Sequence, residues 1–209
     1  MKIENHLLKS PNWLKMRIDH NHHTPKTSGK FPIGQPDTIV IHYTGGRNAL
    51  TSVKTLTNPR VKSSAHLVIG RTGKIYQMIA FNYMAWHAGR SEWEGRKNLN
   101  RFSIGIELDN AGKLEERKLN YYSWFGKKYN AGEVYKIEQN NESQSKCEYW
   151  HAYTEMQLYV TWKVCHLLCR AYNIKEIVGH NEISPGCKID PGPAFPLDRL
   201  RNELISTRA

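Results

Sequence analysis

The chain has 209 residues, 39% of them hydrophobic and 23% charged, and its 30 Lys and Arg against 19 Asp and Glu give a net charge of +11. A mean hydropathy of −0.64 and the lack of any apolar run of spanning length exclude a membrane-embedded bulk, and the length suits one domain with an added arm. Four cysteines, Cys147, Cys165, Cys169 and Cys187, are too few and too irregular for a disulfide scaffold, and an isoelectric point near 9.5 points to an anionic partner without fixing the fold. The first twenty residues carry scattered charges and no apolar segment with a small-residue cleavage site, so no secretory signal is expected and a cytoplasmic protein is.

Residues 1–36 read as an irregular N-terminal arm, rich in the turn formers of HNHHTPKTSGKFPIGQP. His6, His20, His22 and His23 fall in it with no ligand spacing of known geometry, so a solvated loop is expected over a metal tract. DTIVIHY at 37–43 is a short β-branched run between Pro36 and Gly45–Gly46, the pattern of a buried strand. Leu50–Leu56 suits a short helix. SAHLVIG, RTG and KIYQMIA then read as two strands around a turn at Arg71–Gly73, and FSIGIEL at 102–108 as another buried strand.

From Asp109 to about Tyr149 the chain turns rich in Lys, Glu, Asn and Tyr, and is read as an insertion, about 110–150, with a hairpin near Asn130–Gly132 and a mobile tip at Gln139–Ser145. Thr154 with Gln157 three residues on approximates a capping box, opening a helix to Asn173 whose apolar positions lie nearly all round. Cys165 and Cys169, one turn apart on it, read as buried thiols. Glu176–Val178 is a short strand and Leu197–Ile205 a last helix. Strands alternating with helices, interrupted by one hairpin, predict a single domain over 37–205 of α/β (α+β) class, a mixed central β-sheet flanked by helices.

Three possible metal ligands stand at or just beyond the ends of buried segments: His42, His180, and Asp190 within the proline-rich frame SPGCKIDPGPAFP. Two neutral imidazoles and a carboxylate are the protein shell of a catalytic zinc, which keeps its fourth position for water. Glu107 is the one charged residue inside FSIGIEL, where an unpaired carboxylate costs on the order of several kcal/mol. A base for a water proton and a cation for an oxyanion are what amide hydrolysis further needs, and Glu107 and Lys188 suit those tasks. Singly, each residue has a plain structural reading: His42 as a hydrogen-bonded core histidine, Glu107 as an ion-pair partner, Lys188 as a solvated charge. Their joint pattern favours the zinc site.

IVIHYTGG at 39–46, SAHLVIGRTGKI at 64–75, AWHAGRSEWEGRKNLNRFSIGIEL at 85–108, YTEMQL at 153–158 and GHNEISPGCKIDPGPAFP at 179–196 resemble the type 2 zinc N-acetylmuramoyl-L-alanine amidase family, closest to its AmpD branch of 1,6-anhydro-N-acetylmuramoyl-L-alanine amidases. The resemblance implies the peptidoglycan recognition protein-like fold, a Zn2+ cofactor on His42, His180 and Asp190, Glu107 as general base and Lys188 as oxyanion stabiliser. It implies hydrolysis of the amide joining N-acetylmuramic or 1,6-anhydro-N-acetylmuramic acid to L-alanine, in cell-wall recycling. Trp86 and His87 match a substrate-groove segment, and the nearby Lys62, Arg90, Lys97 and Arg101 are candidate contacts for substrate carboxylates. His66 is kept outside the ligand set. Ala65 stands where the phage branch has tyrosine, and the insertion has no counterpart in the AmpD pattern. The partner expected is a muropeptide or murein, with no nucleic acid, no membrane and a monomeric chain. The alternatives are a phage-type endolysin acting on polymeric murein and a non-catalytic murein-binding module.

Overall fold

The computed structural model describes residues 1–10, 17–141 and 144–205. In chain order β1 (Ile18–Asp19), β2 (Thr38–Tyr43), α1 (Ala49–Thr57), β3 (Leu67–Ile69), β4 (Ile75–Gln77) and β5 (Ser103–Leu108) lead into five further strands. These are β6 (Lys113–Arg117), β7 (Asn120–Tyr122), β8 (Lys128–Tyr129), β9 (Val134–Asn141) and β10 (Gln144–His151). The chain closes with α2 (Glu155–Ala171), β11 (Glu176–Gly179), α3 (His180–Ile183) and α4 (Leu197–Leu204).

The central sheet has the order β11-β2-β5-β3-β4-β1. Strands β11, β2, β5 and β3 run parallel, and the expected β3–β4 hairpin supplies the antiparallel pair. Strand alternation decides which residues meet which layer. Ile39 and Ile41 of β2 and Ile104, Ile106 and Leu108 of β5 join one core with Val160, Val164 and Leu168 of α2 and Leu200 and Leu204 of α4. The opposite face carries Val40, Val178, Ile183, Ala88 and Leu99, and beside them a cluster of Val68 with Ala49 and Val53 of α1. His42, on the side of Val40, therefore belongs to the face away from α2.

Helix α2 starts as expected: Thr154 Oγ1 accepts from Gln157 N–H at 3.1 Å, and Gln157 Oε1 from Thr154 N–H at 3.2 Å. It is buried along one stripe, not all round, and leaves Met156 and Tyr159 exposed, because only its sheet-facing side has a layer to pack on. Cys165 and Cys169 are buried on that stripe, and the apolar surroundings push the Cys165 thiol well up.

The arm was expected to be irregular, and it is more ordered than that. Lys2–Glu4 pairs with Leu7–Lys9, Thr27–Lys30 pairs with Tyr83–Ala85, and β1 forms an edge of the central sheet beside β4. Leu8 is fully buried in the main core. Lys26 donates its ammonium to Asn58 O, Val61 O and Ser63 O at 2.7–3.0 Å, so a charged arm residue ties down the loop after α1. Alternating polar residues hide such strands from a reading based on apolar runs. His6, His20 and His22 bond instead to Tyr172, Leu8 O and Asp19.

The insertion is a second sheet, ordered β8-β7-β6-β10-β9. No hairpin forms at Asn130–Gly132: Asn130 and Glu133 cap a single 3-10 turn, and β8 and β9 on either side of it pair with other strands. The expected tip at Gln139–Ser145 centres on Glu142 and Ser143, which lie outside the described residues.

Candidate metal centre

The parallel strands bring three chain-distant residues to one edge of the sheet. His42 is the fifth residue of β2, in register with Glu107 of β5, and His180 directly follows the end of β11, where Gly179 is in register with Ile41. The carboxyl ends of parallel strands are a common place for a site, because the loops that leave them are free of the ladder. Asp190 arrives on the loop after α3, held by its own carbonyl accepting from Asn181 N–H at 2.8 Å.

The three side chains converge. His42 Nδ1, His180 Nδ1 and Asp190 Oδ2 lie 3.0 Å from one another on each side of the triangle, and all three residues are buried. The far side of each ring fixes its tautomer, since a backbone carbonyl can only accept. His180 Nε2 therefore donates to Ala88 O at 3.3 Å, leaving Nδ1 as a bare lone pair. His87 Nε2 donates to Ser103 O at 3.2 Å, so its Nδ1 accepts from His42 Nε2–H at 3.0 Å, and His42 Nδ1 is bare as well. Burial opposes the charged form of His42 and pushes that of His87 further down. With both imidazoles neutral, two lone pairs and a carboxylate oxygen face one another. A divalent cation compensates such a donor set, and its composition and spacing fit zinc, whose ligands at roughly 2.0–2.1 Å stand about 3.3 Å apart. Among the described residues this is the one group of three or more His, Cys, Asp or Glu side chains with that convergence.

Glu107 lies beside it. Its Oε2 is buried with no hydrogen-bond partner. Burial, aided by the nearby Asp190, raises the carboxyl to about 8, while Lys188 pulls the other way. A cavity of about 870 Å³ opens in front of these groups and is lined by His42, His87, Glu107, His180, Lys188 and Asp190 together with α1 and residues 43–47.

His87 is both a lining residue of the cavity and, through Nδ1, the partner that orients His42. It owes its place to Gly105, since a Cβ there would overlap the imidazole. That glycine, on the same strand face as Glu107, is the signal the sequence held for it. Trp86 is turned to the arm, with its Nε1–H donating to Ser28 Oγ at 2.8 Å. Lys62, Arg90, Lys97 and Arg101 are exposed and stand outside the cavity lining; Lys97 pairs with Glu92 instead. Lys97 lies on the two-stranded ribbon of Glu92–Trp93 and Arg96–Lys97, and Arg101 ends the 3-10 turn Leu99–Arg101. His66 is a core residue, accepting from Gly105 N–H at 3.0 Å and donating to Tyr83 O at 2.8 Å, with burial holding it down to about 4. The groove residues missed in the sequence are Arg47, Trp124 and Phe125; a Trp-Phe-Gly run inside a polar segment was the available hint.

Residues 32–193 match the model of the Amidase_2 family, N-acetylmuramoyl-L-alanine amidase. The chain belongs to this family. It is 33% identical over 143 residues to the 1,6-anhydro-N-acetylmuramyl-L-alanine amidase AmpD of Escherichia coli, a match that takes in 68% of this chain and 58% of that protein. The chain thus spans less than two thirds of the length of this curated relative. A crystal structure of a selenomethionine AmpD derivative superposes with a TM-score of 0.60 at 26% identity, over 95% of this chain and 99% of that one. The amidase AmiD of E. coli, solved with the substrate anhydro-N-acetylmuramic acid-L-Ala-D-γ-Glu-L-Lys, gives 0.59 at 27% identity, over 84% and 59%. The mixed sheet with flanking helices is the type 2 amidase fold.

Proposed function

We propose that this chain is a zinc-dependent N-acetylmuramoyl-L-alanine amidase that cleaves the amide between N-acetylmuramic or 1,6-anhydro-N-acetylmuramic acid and L-alanine. Residues 37–205 are then the amidase domain, 1–36 an arm bound to it and about 110–150 an insertion. The reading is carried by one observation: two imidazole nitrogens and a carboxylate oxygen meet at 3.0 Å beside Glu107, whose Oε2 is buried without a hydrogen-bond partner. Its likeness to AmpD and AmiD supports the bond chosen, and the likeness to AmpD supports a role in recycling wall fragments in the cytosol.

His42, His180 and Asp190 would hold the ion. When bound, zinc supplies Lewis acidity and lowers the pKa of a water at the site to roughly 7. A divalent charge held by those three residues would favour the carboxylate form of the neighbouring Glu107. Glu107 then takes the proton from the attacking water, and Lys188 at the cavity wall stabilises the oxyanion that develops on the carbonyl. Glu107 returns that proton to the departing L-alanine nitrogen. His87 holds His42 in the Nδ1-ligating tautomer, as second partners of metal-bound histidines do.

The test is metal content and turnover on one preparation. A muropeptide carrying the anhydromuramyl amide should be hydrolysed by protein holding one equivalent of zinc, and chelation should abolish it. Stoichiometric zinc with no release of L-alanine stems from any muropeptide would overturn the enzymatic reading in favour of a binding module.

A further inference from the structure

The insertion reaches the metal-side cavity with two aromatic rings. Ser123 N–H donates to Lys127 O at 2.9 Å and Gly126 N–H to Ser123 O at 2.9 Å, closing the β7–β8 hairpin with Gly126 at φ +82°. That turn holds Trp124 and Phe125 at its tip, and both line the cavity that contains His42, His180 and Asp190. Trp124 donates its indole N–H to Gly45 O at 2.7 Å, on the loop that leaves β2 just after His42. Phe125 stands edge-on to it, with ring centroids 5.5 Å apart and planes at 86°. The Arg47 guanidinium lies 5.3 Å over the Phe125 ring and keeps that ring in place.

Trp124 is nonetheless 79% exposed. An indole whose N–H is already bonded has only its apolar face left to offer, and a face pinned at two points loses little entropy when something stacks on it. Thr51 and Thr55 of α1 and residues Thr44–Gly46 stand with it in the cavity lining. A flat C–H face bordered by hydroxyls is what a pyranose presents, whereas a peptide stem has no flat apolar face to lay on an indole.

We propose that Trp124, braced by Phe125 and Gly45, is a stacking platform for a pyranose ring of the substrate glycan, a saccharide subsite carried by the insertion. The platform rests on the amidase reading for its substrate class, because the cavity it walls is the one that holds the metal ligands.

Calorimetric titration of the zinc-loaded full chain with two probes tests it: the peptide-free disaccharide N-acetylglucosaminyl-N-acetylmuramic acid, and the sugar-free stem L-Ala-γ-D-Glu-L-Lys. W124A should weaken disaccharide binding about tenfold and leave the stem unchanged, and W124F should keep most of the affinity. Matching thermal melts establish that the variants are folded, as expected for so exposed a side chain. Unchanged disaccharide affinity in W124A, equal loss for both probes, or a wild-type chain that does not bind the disaccharide each overturn the platform. Failure of the two readings is separable. Trp124-dependent disaccharide binding without muropeptide hydrolysis keeps the platform and removes the amidase, while hydrolysis with KM and kcat untouched by W124A does the reverse.

Discussion

The two sheets of this protein meet the same cavity by opposite means. In the central sheet β2, β5 and β11 are buried nearly throughout, and their register sets His42, Glu107 and His180 to within a side chain's reach of one another. In the insertion, the described residues of β6–β10 enclose a small cluster of Ala111, Leu114 and Tyr129 with partly buried neighbours. That sheet touches the cavity at a hairpin tip. Chemistry that tolerates little positional error sits on the densely packed sheet, and contacts that select a substrate sit on the sparsely packed one.

The largest expected effects break the central sheet's side of this contrast. Glu107→Ala should lower turnover by about 10²–10⁴-fold while the protein keeps one zinc, measured by metal analysis beside a muropeptide assay; retained activity would remove Glu107 as base. Asp190→Ala should lose the zinc itself, because two imidazoles alone leave the ion short of a ligand and of charge.

Next comes a backbone test. Gly105→Ala places a methyl where the His87 imidazole stands and should destabilise the fold by about 1–3 kcal/mol, read by denaturant titration. If His87 does orient His42, zinc affinity should fall as well, and His87→Asn should lower that affinity with a smaller loss of stability.

A pH comparison sharpens the picture of Glu107. Its folded carboxyl is raised to about 8 from an ordinary 4.5, so the metal-free fold favours the neutral form, and stability is lost as pH rises from about 4.5 through 8. Glu107→Gln should therefore raise the melting temperature of the metal-free protein at pH 8, with the gain shrinking to nothing towards pH 4.5. His66 has the opposite sign. Held down to about 4, it contributes stability above 6.5 that is lost as pH falls through 4. An equal gain for Glu107→Gln at both ends of the range would rule out burial of the carboxylate as its cause.

The smallest effect belongs to the insertion. Lys136 and Glu138 form an ion pair at 2.6 Å on β9, open to solvent, and Lys136→Ala should leave both the melting temperature and turnover unchanged. A clear loss would mean that the second sheet is coupled to the first more tightly than its packing indicates.

Much of the frame was legible from the chain alone. β-branched runs marked β2 and β5, Thr154 and Gln157 marked the start of α2, and the pairing of IVIHY, GHNEI and CKIDP carried the ligand set. Less legible was anything that depends on polar strands or on side chains crossing between segments. The short strands of residues 1–36 have no apolar alternation to reveal them, and the 3-10 turn at Ala131–Glu133 carries the same Asn and Gly that announce a hairpin. Lys62, Arg90, Lys97 and Arg101 are near groove segments in sequence but stand outside the cavity lining, since closeness in sequence does not set the direction in which a side chain points.

The sequence by itself determined the family, the mixed sheet and the identity of the residues able to hold a metal, because burial period and residue chemistry are local properties of a chain. Tertiary structure alone decided that both histidines turn Nδ1 inward, that His87 stands behind His42 over Gly105, and that Trp124 of a distant hairpin closes on Gly45. Those choices depend on which hydrogen-bond partner lies on the far side of each ring, and that partner comes from another segment whose approach is fixed only when the sheet assembles.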